Sequence, residues 1–352
     1  MTTVFRERHF DGGSTLDIVV LHISTIDVNW RRTKLEDFRD LFGVVSGVIV
    51  SISNASDRDL ILDQRGSTHG ISRELEVNYH RRGHCDLLGF DHYIPPYANT
   101  NGTDIAQGVN YASGAAGIRN ETGTHMGQDI SMGLQLEHHR DIVSQIAKKL
   151  GSEKVQQHLN KCLYYVNIGS NDYLNNYFLP QHYPTNGKYN ADQYAVALIQ
   201  EHLTYLKALY ELGARKFSLF GLSLIGCIPH GKNDSLCVEE HNRAALLFNN
   251  KLKSVVDRFN KEFPDAKFIF INTAIITENS LKQDMKILTC CKVGSNGQCI
   301  PNEEPCQNRN LHPFFDEFHP SEVVNKVLAN MAYNAPVPAF AHPMDISHLV
   351  KL

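Results

Sequence analysis

The sequence predicts an α/β protein in which a parallel sheet is covered by helices on both faces. Three observations predict it. From about Gly89 onward, short apolar runs alternate with long stretches of helical periodicity. Turn residues punctuate each changeover. Polar residues able to carry chemistry follow directly on an apolar run, where ligands gather at the carboxyl ends of parallel strands.

Taken in order, Leu163-Tyr164-Tyr165-Val166-Asn167-Ile168 reads as a buried strand closed by the turn Gly169-Ser170-Asn171-Asp172. Residues 192–212 repeat Tyr194, Leu198, Ile199, Leu203, Leu206 and Leu209 at helical spacing and stop at Gly213. Residues 216–220 form a second strand. Residues 238–263 carry Ala245, Phe248, Leu252, Val255 and Phe259 on one stripe and end before Pro264. A third strand spans residues 267–271, and a last helix spans 321–333, opened by Pro320.

The first 85 residues differ. Their strand-like runs, 17–23 and 44–52, are separated by charged pieces such as Arg31-Arg32-Thr33-Lys34 and Tyr79-His80-Arg81-Arg82. They form no regular βα units, so the chain divides into an atypical segment, 1–85, and a domain, 86–352. The opening does not read as a signal peptide, because Arg6, Glu7 and Arg8 come early and Asp17 and His22 break the apolar run.

Composition narrows the function. With 352 residues, 42% hydrophobic and 20% charged, the chain has the makeup of a soluble globular protein rather than a disordered one. A net charge of −4 without a cationic block argues against nucleic acid as a partner. The longest uncharged apolar run, 41–52, is too short to span a bilayer. Six of the eight cysteines (Cys227, Cys237, Cys290, Cys291, Cys299, Cys306) lie in loop-like sequence, which suits disulfides and an oxidising compartment. Zinc is the rival reading, weakened by the adjacent Cys290-Cys291 pair. Sequons at Asn54, Asn101, Asn120 and Asn233 point the same way. The 18 histidines, His138-His139 included, show no metal-binding spacing and read as ordinary surface or helix residues.

Three constellations can carry chemistry. In Asp316-Glu317-Phe318-His319-Pro320, a tight turn brings a carboxylate onto an imidazole, fixing its tautomer and stabilising the imidazolium. The bland alternative is a cap for the following helix. Asn171, in its post-strand turn, can aim an amide N–H at a developing oxyanion, or it is simply a turn residue. In the small-residue run from Gly108 to Gly117, Gly114 is a second donor candidate, against the alternative of a flexible loop. Ser223, in Gly221-Leu222-Ser223-Leu224-Ile225-Gly226, narrowly misses a nucleophile elbow and reads as structural.

Together the three resemble the plant GDSL-type esterase/lipase family of the SGNH hydrolase superfamily over residues 86–352. Leu88-Gly89-Phe90-Asp91-His92-Tyr93, Tyr165-Val166-Asn167-Ile168-Gly169-Ser170-Asn171-Asp172, Gly213-Ala214-Arg215-Lys216 and Gly226-Cys227-Ile228-Pro229 carry the likeness beside the three motifs. The resemblance implies a flavodoxin-like three-layer α/β/α sandwich, its first strand here missing or replaced, and serine-type hydrolysis of carboxylic esters. It implies no cofactor and no metal, a small ester or lipid as substrate, no stable membrane insertion, a monomer, and secretion. His319 matches the family's base, Asp316 its orienting acid, and Asn171 and Gly114 its oxyanion donors, with Gly117 as the alternative glycine. The cysteines from Cys227 to Cys306 match its disulfides, Cys227 with Cys237 being the favoured pair. The family's Gly-Asp-Ser-x-x-Asp block is absent; the nearest text, Gly12-Gly13-Ser14-Thr15-Leu16-Asp17, makes Ser14 the nucleophile candidate. The alternative function is a non-catalytic pseudoenzyme that binds an ester or lipid.

Overall fold

Short runs rich in aromatic and β-branched residues become strands when both of their faces can be buried. The computed structural model describes residues 21–22 (backbone only), 87–88, 94–100, 105, 108–230, 237–281, 289–300 and 303–352. Within them, β1 (Leu21–His22), β2 (Leu163–Asn167), β3 (Lys216–Phe220), β4 (Lys267–Ile271) and β5 (Ala341–His342) form one sheet in that spatial order. Strands β1 to β4 are parallel, and β5 returns antiparallel on β4. The helices are α1 (Met132–Leu150), α2 (Ser152–Lys161), α3 (Ala191–Glu211), α4 (Glu239–Glu262), α5 (Thr273–Leu281) and α6 (Glu322–Tyr333).

The side-chain period of two sends each strand into two cores. Tyr164, Val166, Phe217, Leu219, Phe268 and Phe270 join α1 to α4 in one layer. Leu163, Tyr165, Phe220, Ile269 and Ile271 face the other, where Ile276 of α5 and Leu328 and Ala332 of α6 cover them. The predicted stripe of Ala245, Phe248, Leu252, Val255 and Phe259 is the buried face of α4. At the start of α3, Asn190 accepts from the Gln193 N–H at 2.9 Å while Gln193 accepts from the Asn190 N–H at 3.0 Å, a reciprocal cap. The three-layer α/β/α expectation holds.

Leu21 and His22 fall within the 17–23 run and pair with Val166 and Asn167. The place beside β2 is therefore filled by a strand from the atypical segment, so that segment contributes to the sheet. Among the described residues, no helix is long and apolar enough to cross a membrane. Of the four sequons only Asn120 lies in the described residues; it is exposed, and its Oδ1 accepts from the Ser131 hydroxyl at 2.6 Å.

Candidate active site

The carboxyl ends of β2, β3 and β4 all open on one side of the sheet, and the candidate residues collect there. After β2 the chain turns at Gly169, whose φ of 123° is a region that side-chain-bearing residues avoid, and enters a helical turn over Ser170–Asp172. That turn lifts Asn171 off the strand end. Asn171 is buried; its Nδ2 donates to the Ala116 carbonyl at 2.9 Å, and its Oδ1 accepts from Asn175 at 2.7 Å. An amide nitrogen has two hydrogens, and the second is the one available to a ligand oxygen.

Asn171 thus touches the small-residue loop directly. Gly114 in that loop is buried, and Ser113 steadies its neighbourhood by accepting from the Ile130 N–H at 3.0 Å. At Gly117, the alternative glycine, a Cβ would lie 2.5 Å from Oδ1 of Asp172. It is a glycine of close approach.

The Asp316–His319 turn brings carboxylate and imidazole together. Asp316 Oδ2 lies 2.6 Å from His319 Nδ1, while Oδ1 accepts from the Phe318 and His319 N–H groups, each at 2.8 Å. The Phe315 N–H to His319 carbonyl bond at 2.8 Å closes the loop. With Asp316 fully buried, the ring's Nδ1 carries the hydrogen toward the carboxylate, which leaves Nε2 as the basic nitrogen.

Disulfides hold this turn in place. The pairs are Cys227–Cys237, Cys290–Cys306 and Cys291–Cys299, which include the favoured pair and remove the zinc reading for these six. The Cys290 and Cys291 N–H groups donate to Phe314 and Phe315 carbonyls at 3.1 and 2.9 Å. On the far side, the His230 N–H donates to the Glu317 carbonyl at 2.9 Å, and the Glu317 N–H to Gly297 at 3.0 Å. Phe314 and Phe318 pack with Leu224 and Ile228 beyond β3, Ala274 beyond β4, and Leu174, three residues past Asn171. The imidazole turn and the Asn171 turn therefore flank one apolar cluster at the same end of the sheet.

Ser14 lies outside the described residues. Ser223 does not behave as an elbow nucleophile: Asn249 clasps the preceding Leu222, accepting from its N–H at 2.6 Å and donating to its carbonyl at 2.8 Å, so the segment is a pinned strand exit. His139 is fully buried, between the hydroxyls of Tyr111 at 3.1 Å and Tyr164 at 3.4 Å, and burial lowers its pKa to about 3. Among the described residues, no group of three or more His, Cys, Asp or Glu could hold a metal ion.

Two sets of residues escaped the sequence reading. One is Asp172 with Thr122, Asn176 and Thr185, a buried polar chain behind the loop. The other is Ser24, a candidate on sequence alone that, like Ser14, lies outside the described residues. Its signal was available: Ser24-Thr25-Ile26-Asp27 keeps Ser-x-x-Asp spacing directly after the 17–23 run.

A model of the GDSL-like lipase/acylhydrolase family matches residues 51–331, beginning well before residue 86. Two GDSL esterase/lipases of Arabidopsis thaliana are each 45% identical over 282 residues, covering 76% of this chain and 78% of the relative. A third from the same plant is 43% identical over 282 residues with the same coverage.

Proposed function

Because the chain belongs to the GDSL-like lipase/acylhydrolase family, we propose that it is a secreted, monomeric esterase that hydrolyses a small carboxylic ester or lipid by acyl transfer to a serine. The observation that carries this reading is the 2.6 Å contact between Asp316 and the His319 ring at the carboxyl end of the sheet. His319 Nε2 takes the serine proton as the oxygen attacks the ester carbonyl, and Asp316 stabilises the imidazolium. The Asn171 amide and the Gly114 N–H receive the oxyanion, each donor worth roughly 3–4 kcal/mol in the transition state. The imidazolium protonates the departing alcohol, and water then releases the acid by the same steps. Three disulfides support an oxidising, extracellular setting.

For the nucleophile, the reading favours Ser24 over Ser14. In this fold the attacking serine follows the strand beside β2, and β1 ends at His22, two residues before Ser24. Asp27 completes the Ser-x-x-Asp spacing, while His22 and Ile23 replace the Gly-Asp of the family block. That replacement favours a second reading, a non-catalytic protein that keeps the cleft and binds an ester without turning it over.

Hydrolysis of p-nitrophenyl butyrate by the purified protein separates the two. The esterase reading expects turnover that drops by about 10³-fold or more in both Ser24→Ala and His319→Ala and is untouched in Ser14→Ala. Saturable binding of a non-hydrolysable ester analogue without turnover establishes the pseudoenzyme instead.

A further inference from the structure

We propose that Asp172 is a positioning residue whose carboxylate clamps the 114–122 loop to the Asn171 turn, so that the Gly114 and Asn171 donors face one point. The inference rests on the esterase reading. Asp172 is fully buried, and its two oxygens take three donors from a single loop. Oδ2 accepts from the Ile118 N–H at 2.8 Å; Oδ1 accepts from the Arg119 N–H at 3.1 Å and from the Thr122 hydroxyl at 2.8 Å. Its neighbour Asn171 grips the same loop two residues before Ile118, through the Ala116 carbonyl at 2.9 Å. Two consecutive residues therefore hold residues 116–122 by four hydrogen bonds.

The clamp is anchored behind as well. The Asp172 carbonyl accepts from the Tyr194 hydroxyl of α3 at 3.0 Å, tying the turn to the helical layer. Thr122 accepts from the Asn176 amide at 3.0 Å, and Asn176 in turn accepts from Thr185 at 2.5 Å. Gly117 lets the loop pass against Oδ1, where any side chain would collide.

A buried carboxylate is a costly way to hold a loop. Burial pushes Asp172 up to about 7 even though three donors favour its charged form, and it lifts nearby Asp129 to about 7 as well. An apolar side chain would fill the space without that cost. What it would lack is a set of acceptors fixed in direction, and direction is what an oxyanion hole needs: its donors must sit about 2.7–3.1 Å from where the negative oxygen will be. No step of the ester chemistry passes through Asp172 itself.

Asp172→Asn keeps the size but turns one acceptor into an NH₂ aimed at a loop donor. On p-nitrophenyl butyrate at pH 8, the expected result is kcat lower by about 10²-fold with KM within about threefold. Hydrogen exchange at the 114–116 amides is expected to speed up about tenfold or more while the protein still melts cooperatively. Asp129→Asn, which removes none of these bonds, is expected to leave kcat within about twofold. Should Asp172→Asn fail to fold, Thr122→Val removes one of the three donors and is expected to lower kcat about 3–10-fold. A kcat within about twofold of the parent in the folded variant, or unchanged exchange at 114–116, overturns the proposal. If the parent turns over no ester, the esterase reading falls, and the exchange measurement alone decides the clamp.

Discussion

An aspartate three residues before a histidine is a common local arrangement, and this chain contains two described examples that differ in their surroundings. Asp316–His319 and Asp345–His348 both place a carboxylate oxygen 2.6 Å from Nδ1. Asp345 also accepts from the His348 N–H at 3.0 Å and the Ser347 hydroxyl at 2.9 Å, capping the short helical turn Ile346–Leu349. The His348 side chain is 65% exposed, whereas that of His319 is 15% exposed and lies beside the apolar cluster beyond β3 and β4. Asp345 caps a helical turn, whereas Asp316 closes a turn ahead of a helix whose N-cap is Ser321, and position in the fold makes His319 the candidate base. Asp316→Asn is expected to lower kcat by about 10³–10⁴-fold, because the amide selects the wrong ring tautomer. Asp345→Asn is expected to lose about 1 kcal/mol of stability with kcat unchanged. Ester turnover beside urea denaturation checks both; equal effects on turnover would remove the distinction.

At the scale of elements, the acid–base turn has no strand or helix of its own. Residues 313–319 hang between a disulfide-laced loop and the His230 segment. Loss of the Cys291–Cys299 link is therefore expected to disturb the turn before it disturbs the sheet. In Cys291→Ser/Cys299→Ser, turnover is expected to fall about tenfold at temperatures where helical circular dichroism is intact, with a stability loss of about 2–4 kcal/mol. Turnover and ellipticity lost together on heating would show that the disulfide supports only the global fold. The same scale explains what was legible. Strands β2, β3 and β4 were readable nearly to the residue because each is a short apolar run, buried on both faces and followed by turn residues. Helix α1 was not, because its buried face mixes Gln135 and His139 with Met132, Leu136, Ile142 and Ile146, which breaks the apolar stripe. The partners of those polar groups lie outside the helix: Gln135 Nε2 donates to the Ile130 carbonyl at 2.7 Å, just ahead of the first turn, and His139 meets the hydroxyls of two tyrosines. Asp316 with His319 was legible for being local. The grip of Asn171 and Asp172 on the 116–122 loop was not, since its partners lie far apart in sequence and meet only once the layers close.

Across the molecule, the buried imidazoles of His139 and His202 oppose the buried carboxylate of Asp172 and the half-buried one of Asp129 in their response to pH. Burial lowers His139 and His202 to about 3 and raises Asp129 and Asp172 to about 7. Between about pH 4 and 6.5 each histidine is protonated in the unfolded chain and neutral in the fold, so it makes stability fall as pH falls. In the same window each aspartate is ionised in the unfolded chain and protonated in the fold, so it makes stability fall as pH rises. Two protons against two leave these groups with almost no net slope, although each alone is worth about 1.4 kcal/mol per pH unit. Removing one member exposes the balance. Asp129→Asn is expected to tilt the stability curve upward with pH, by about 1.4 kcal/mol per unit relative to the parent. His202→Phe is expected to tilt it downward by the same amount. Urea denaturation at pH 4.5, 5.5 and 6.5 measures both slopes, and the sign carries the argument. If the two variants tilt the same way, the opposition between these acids and these imidazoles is not what sets the acid response of this fold.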